Sequence, residues 1–205
     1  MSTNVTEQNT ESALAARLRA ERETRGWTLA ELATRSGVSR AMLSKIERGE
    51  ASPTAALLGR LSAAFGLTLS QLFARVEDNE GGQIARAADQ PVWRDPETGF
   101  VRRSVSPPST SPMELVWGEL PPGAEIPFPR ASFLFMADQQ LVIVSGELTI
   151  AQDGQTYDLC AGDCLRFAAA DTSFRNRGAV GCRYIVAVLR HSEVGADYPR
   201  SSRPR

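Results

Sequence analysis

"SGVSRAMLSKIERG", residues 36–49, decides how the front of this chain folds. Gly37 supplies the left-handed backbone that a tight turn between two helices requires. Ser39 is a residue type that caps a helix N-terminus by accepting one of its free backbone N–H groups. Met42, Leu43 and Ile46 then recur at helical spacing and mark a buried side. Arg40, Ser44, Lys45 and Arg48 fall on the other side. The stretch predicts a short, positively charged helix entered through a turn.

Working outward, the same period predicts four more helices. Leu14 and Leu18 share one face of a helix that runs to about Arg25 and is stopped by Gly26. Thr28, with Glu31 three residues on, has the pattern of a capping box. It opens a helix in which Leu32 and Ala33 face inward and which Gly37 closes. Ser52 followed by Pro53 predicts the start of a fourth helix, with Leu57, Leu58, Leu61 and Phe65 on its inner face. Thr68 and Gln71 form a second box ahead of Leu69, Leu72 and Phe73.

"VEDNEGGQIARAADQP" interrupts this pattern with acidic residues and a glycine pair and reads as a linker. Beyond it the period shortens. "MELVWGEL", "QQLVIVSGELTIAQDG", "QTYDLCAGDCLRFA" and "CRYIVAVL" are short segments rich in Val, Ile, Leu and aromatics, separated by turn signals such as "PPG", "SGE", "QDG" and "AGD". Short strands punctuated in this way predict a sandwich or barrel. "DYPRSSRPR" is polar and proline-rich and is expected to be disordered.

The composition of the chain narrows its class. Its 205 residues allow one large domain or two small ones, and 42% hydrophobic with 23% charged residues is ordinary for globular protein. No apolar run nears the roughly 20 residues that span a bilayer, and the polar start "MSTNVTEQNTES" lacks a signal-peptide core, so a cytoplasmic protein is expected. Cys160, Cys164 and Cys182 are an odd set without a CxxC pair, and reduced thiols are the expectation. The net charge of −1 hides an asymmetry: residues 1–75 carry ten Lys/Arg and seven Asp/Glu, the remainder thirteen and seventeen. A mildly basic front joined to an acidic back suits a DNA-binding head on a non-binding body.

In "LAELATRSGVSRAMLSKIERG" (residues 29–49) and "SPTAALLGRLSAAFGL" the front half resembles the helix-turn-helix family of the phage Cro and cI repressors, the XRE family, over residues 14–73. The resemblance implies that the helix opened by Ser39 lies in the major groove. Arg40, Ala41, Ser44 and Lys45 would then face base edges, arginine and lysine suiting guanine and the Ala41 methyl a thymine methyl. Thr28 and Ser39 would meet phosphates at helix N-termini, with Arg35 and Arg48 as backbone clamps.

The back half resembles the cupins, a family of small antiparallel barrels, on "QQLVIVSGELTIAQDGQTYDLCAGDCLRFAAADTSFRN". Gly146 closes the first strand pair and "AGD" stands at the second turn. Metal-binding cupins carry two histidines and a glutamate in the first motif and a histidine in the second. Here the glutamate position is Gln139, the paired histidines fall in "FPRA" (residues 128–131), and the last histidine position is Thr172. The single histidine, His191, lies near the tail. No metal and no cofactor is therefore expected, and a barrel without histidine supports neither oxygen activation nor histidine-based acid–base chemistry. Phe128, Phe133 and Phe135 could form an aromatic wall. Phe128, Arg130, Gln139, Arg166, Thr172 and Phe174 are the candidate lining of a small-molecule pocket.

The expected layout is a disordered tail over 1–12, a five-helix DNA-binding domain over 13–75, a linker over 76–90, an all-β cupin-like sensor and dimerisation domain over 91–190, and a disordered tail over 191–205. The function this implies is a sequence-specific transcriptional regulator, a homodimer on a palindromic double-stranded DNA operator, with a small-molecule effector in the barrel and no membrane partner. The rival readings are a barrel that only dimerises, without effector, and, disfavoured, a DNA-tethered cupin enzyme.

Overall fold

The protein is described here from a computed structural model, which covers residues 3–73, 83–107, 109 and 111–191. Five helices come first: α1 (Thr3–Thr24), α2 (Leu29–Ser36), α3 (Arg40–Glu47), α4 (Ala55–Phe65) and α5 (Leu69–Phe73). Local chemistry sets their ends. The Thr28 N–H donates to Glu31 Oε2 at 2.7 Å while the Glu31 N–H donates to Thr28 Oγ1 at 3.2 Å, so both arms of the capping box are made. Hydrogen bonds from the Thr28 backbone and hydroxyl hold the Glu31 carboxyl below its usual pKa range. Gly37 takes φ 67° and its N–H donates to the Ala33 carbonyl at 2.9 Å, closing α2 with a left-handed residue. Ser39 Oγ accepts the Met42 N–H at 3.2 Å. Thr68 and Gln71 exchange the same reciprocal pair of bonds, at 2.8 and 3.2 Å.

Two expectations about this region are corrected. Helix α1 begins at Thr3, so the segment read as a disordered tail over 1–12 is helical from its third residue. Nothing between Thr3 and Ala13 is glycine or proline, and Thr10 is packed at 4% exposure, so the helix has neither a local stop nor a solvated reason to end. Helix α4 is capped by Thr54, whose hydroxyl accepts the Leu57 N–H at 3.4 Å, rather than by Ser52. Pro53 lies ahead of the cap, where its missing N–H costs nothing.

The barrel comprises β1 (Val92–Arg94), β2 (Val101–Ser104), β3 (Met113–Leu120), β4 (Glu125–Phe128), β5 (Met136–Ser145), β6 (Glu147–Gln152), β7 (Gln155–Cys160), β8 (Cys164–Arg166), β9 (Thr172–Arg175) and β10 (Cys182–Arg190), with a 3-10 turn (Arg130–Phe133) after β4. All pairings are antiparallel. They form a six-stranded sheet in the order β1-β2-β3-β10-β5-β8 and a four-stranded sheet in the order β4-β9-β6-β7. Strands β1, β2, β4 and β9 are three or four residues long, too short for alternation to show in sequence. Of the linker read over 76–90, residues 76–82 lie outside the described residues. Residues 83–90 are irregular and contain a turn in which the Asp89 and Gln90 N–H groups both donate to the Arg86 carbonyl. The tail read over 191–205 is described only at His191.

The two inward faces meet in a cluster of rings. Phe174 lies 5.2 Å from Phe128, 5.9 Å from Phe167 and 5.8 Å from Tyr184 between centroids, each pair edge-on. The chain continues through Tyr184 to Phe100, Trp93 and, in the head, Phe73, with no step longer than 6.5 Å. Such contacts add about 0.5–1.5 kcal/mol per pair beyond area burial. The head is thus seated on the barrel through a shared core. At this seam Arg102, 7% exposed, donates to Ser70 Oγ at 2.7 Å and lies 5.3 Å from the Phe73 ring centroid. Burial pushes its pKa down to about 10, against the attraction of Glu114, so it still carries its charge at neutral pH. Gly59 of α4 lets the helix close on the 3-10 turn, since a Cβ there would stand 2.5 Å from Ser132 Oγ.

Candidate nucleic-acid interface and barrel interior

Helix α3 buries Leu43 and Ile46 and turns Arg40, Ala41 and Lys45 to solvent, with Ser44 partly exposed beside them. Met42 is half-buried at the margin. Ser39 is exposed at the N-cap, and Thr28 caps the neighbouring α2. A contiguous polar face led by a helix N-terminus is suited to duplex DNA: its side chains can reach base edges while N–H groups meet phosphate oxygens. Two of the candidate clamps have intramolecular partners. Arg35 lies 4.3 Å over the Trp27 ring, and Arg48 pairs with Glu50 at 2.6 Å and touches the Ser44 hydroxyl. The Thr28 hydroxyl is committed to Glu31, to which it donates at 2.9 Å. A phosphate would have to draw these groups from their present partners.

One residue pair that the sequence reading missed fixes this helix in place. Arg22 of α1 donates from Nε and Nη2 to the two carboxylate oxygens of Glu47 at 2.7 and 2.8 Å, and from Nη1 to the Trp27 carbonyl at 2.9 Å. Its hydrogen bond to Glu47 raises the guanidinium pKa above its ordinary value. The fork is bidentate and part-buried, with side-chain exposures of 13% and 8%. The partners are 25 residues apart, so no local spacing signals them.

In the barrel the six candidate pocket residues do not converge. Phe128 and Phe174 are interior but packed against one another. Gln139 is buried on β5 in line with Leu141 and Ile143. Thr172 is buried, its hydroxyl donating to the Ala170 carbonyl and accepting from Gln152 Nε2, both at 2.9 Å. Arg130 and Arg166 are corrections: both are exposed. Arg130 sits on the 3-10 turn with its N–H donating to Asp171 Oδ1. Arg166 pairs across β5 with exposed Gln140, so the pleat turns it outward, where it bonds Asp138 at 2.8 Å. Phe133 joins the rings, 6.1 Å from Phe128, but Phe135 is turned toward the head, in reach of Gly66 of α4's C-cap. Phe167, which the sequence reading passed over, completes the cluster.

These residues do not fit a cupin metal. An amide, a hydroxyl already bonded twice and phenylalanine rings offer no set of imidazole or carboxylate donors. Among the described residues no three His, Cys, Asp or Glu side chains are grouped to hold an ion. Cys182 is buried, and burial pushes its thiol up to about 11, while Cys160 and Cys164 are exposed. Among the described residues no helix is long and apolar enough to cross a membrane.

Five helices with this turn, joined to two antiparallel sheets closing on one core, make a helix-turn-helix head on a β-barrel. Residues 18–72 match the family model HTH_3, helix-turn-helix. Over nearly its full length the chain is similar to the HTH-type transcriptional regulator SutR of Escherichia coli (strain K12), 28% identical over 194 residues that are 92% of this chain and 96% of that one. It is also similar to the HTH-type transcriptional regulator PuuR of the same organism, 23% identical over 83% of this chain and 91% of that one. The crystal structure of an HTH_3 family transcriptional regulator from Vibrio cholerae superposes with a TM-score of 0.72, covering 91% of this chain and 99% of that one at 21% identity, a likeness of fold.

Proposed function

We propose that this protein is a cytoplasmic, sequence-specific transcriptional regulator that binds a two-fold symmetric operator as a dimer. Arg40, Ala41, Ser44 and Lys45 face base edges, and Thr28, Arg35, Ser39 and Arg48 flank them toward the phosphates. The observation that carries the reading is the solvent-facing side of α3, polar from its N-cap onward and braced from behind by Arg22 and Glu47. Arg40→Ala is expected to weaken specific binding by roughly 1–3 kcal/mol and to relax preference at one base position. Arg48→Ala is expected to weaken all sequences about equally and to flatten the salt dependence. Binding-site selection with each variant tests this, and an unchanged preferred sequence for Arg40→Ala would remove α3 from the groove.

The dimer is supported by a contrast between the barrel's two outward faces. The four-stranded sheet shows solvent Glu125, Arg175, Glu147, Thr156 and Asp158. The six-stranded sheet exposes Gln140, Arg166 and Arg183 but also Met113 (58%), Leu115 (39%), Val142 (40%), Val144 (45%) and Leu189 (39%). The strand register places Leu189 beside Met113, and Ile185 between Trp117 and Val142, so these residues form one apolar field across β3, β10 and β5. Exposed apolar residues contiguous across three strands are the kind of patch that marks a protein–protein surface. A single head of this size reads one half-site, and pairing two heads supplies the second at high effective concentration. Val142→Arg is expected to give monomers in light scattering and at least tenfold weaker operator binding. A dimer that survives this charge at its centre would place the interface elsewhere.

Because rings fill the barrel interior, the sensing role expected there is better placed at the seam between barrel and head.

A further inference from the structure

Part of that seam is open. A cleft of about 620 Å³ lies between α4 and one end of the four-stranded sheet, within the size range of small-molecule sites. Ala56, Pro127, Phe128, Pro129 and Ala151 give it a largely apolar lining. Three charged residues also line it: Arg60 from the head, Asp153 from the turn between β6 and β7, and Asp171 just before β9. Gln152 spends its amide nitrogen on the Ala168 carbonyl and Thr172 Oγ1, at 2.8 and 2.9 Å, which leaves its carbonyl oxygen as a further acceptor. Of the Asp171 carboxylate, Oδ1 accepts the Arg130 N–H at 2.8 Å.

One cation and two carboxylates select among ligand charges. A simple carboxylate would meet two like charges, and a simple amine would leave Arg60 facing it without compensation. A molecule carrying both signs satisfies the set. We infer that this cleft binds a small amino-acid-type zwitterion, with its ammonium taken by Asp153, Asp171 and the Gln152 oxygen, its carboxylate by Arg60, and an apolar side chain against Phe128 and the prolines. The inference rests on the operator-binding reading above and supplies its effector.

The same arginine links the cleft to the DNA face. Arg60 Nη1 donates to the carbonyl of Gly37 at 3.4 Å, the residue that turns α2 into α3. A carboxylate is the stronger acceptor for a guanidinium, so a bound ligand draws Arg60 from the turn. Ligand and operator then favour different settings of one side chain, and each lowers the affinity of the other by the same factor.

The test uses the full-length protein with each common α-amino acid in a thermal-shift screen, followed by calorimetry on those that bind. For each of these the matching amine and the matching carboxylate are run beside it, isopentylamine and isocaproate in the case of leucine. The expected result is an apolar amino acid that raises Tm, binds at least tenfold more tightly than either charge-deleted partner, and weakens operator binding several-fold. Ala151→Trp fills the cleft from an exposed strand position and should abolish the shift. Asp171→Asn keeps an acceptor for the Arg130 N–H but loses the charge, and should cost about tenfold in ligand affinity, equivalent to about 1.4 kcal/mol. If no amino acid shifts Tm, if amine or acid alone binds as well, or if both variants bind as the parent does, the inference is overturned. Intact operator binding in that case leaves the regulator reading standing, whereas absence of operator binding in the unliganded parent would sink that reading instead.

Discussion

Glu47→Ala is expected to destabilise the protein by about 3 kcal/mol, because it removes the two-point carboxylate partner of the part-buried Arg22 guanidinium. For a chain of this size that corresponds to a fall in Tm of roughly 6–12 °C. The loss should be larger than the worth of the pair itself, since truncating one partner leaves a part-buried charge with only its longer contact to exposed Glu23 at 3.3 Å. Arg22→Met combined with Glu47→Leu removes both charges and should recover most of the stability. It should not recover operator affinity in full, because an apolar contact fixes the angle of α3 less tightly than a two-point fork. Urea unfolding of the single and double variants, with operator titrations alongside, measures both effects. A single variant within about 0.5 kcal/mol of the parent would mean that the pair is solvated in solution and does not hold α3.

Phe174→Ala is expected to cost about 3–5 kcal/mol, since its buried ring packs against Phe128, Phe167 and Tyr184. The cavity left behind is apolar, so benzene should bind the variant, raise its Tm and leave the parent's Tm unchanged. Phe174→Leu, which keeps most of the volume, should cost far less. Calorimetric unfolding of the three proteins decides the matter. A cost below about 1 kcal/mol for the alanine variant would mean that the interior is loosely filled, and would return the barrel core to consideration as a ligand site.

The helical head was largely legible because its signals are local. Thr28 and Glu31, Ser39, Thr68 and Gln71 act within one turn of the residues they cap, and Gly37 is read from the backbone it must adopt. Their chemistry needs no knowledge of the remaining chain. The misplaced start of α4 and the extra turns of α1 mark the limit of that approach: helix ends also depend on what packs over them, as Thr10 does.

In the barrel the sequence by itself determined the strand-rich character and the lack of any histidine but His191. Which side each residue faces was decided only by the tertiary structure. Arg166 stands outside and Gln139 inside because the register between β5 and β8 is a long-range pairing, and a slip of one residue would exchange every face. The same holds for Arg22 with Glu47, for the line of rings from Phe174 to Phe73, and for the seating of α4 on the barrel that creates the cleft beside Arg60. Capping chemistry is encoded by residue type at fixed spacing. Contacts between elements depend on how whole surfaces fit, and that information exists only once both surfaces have formed.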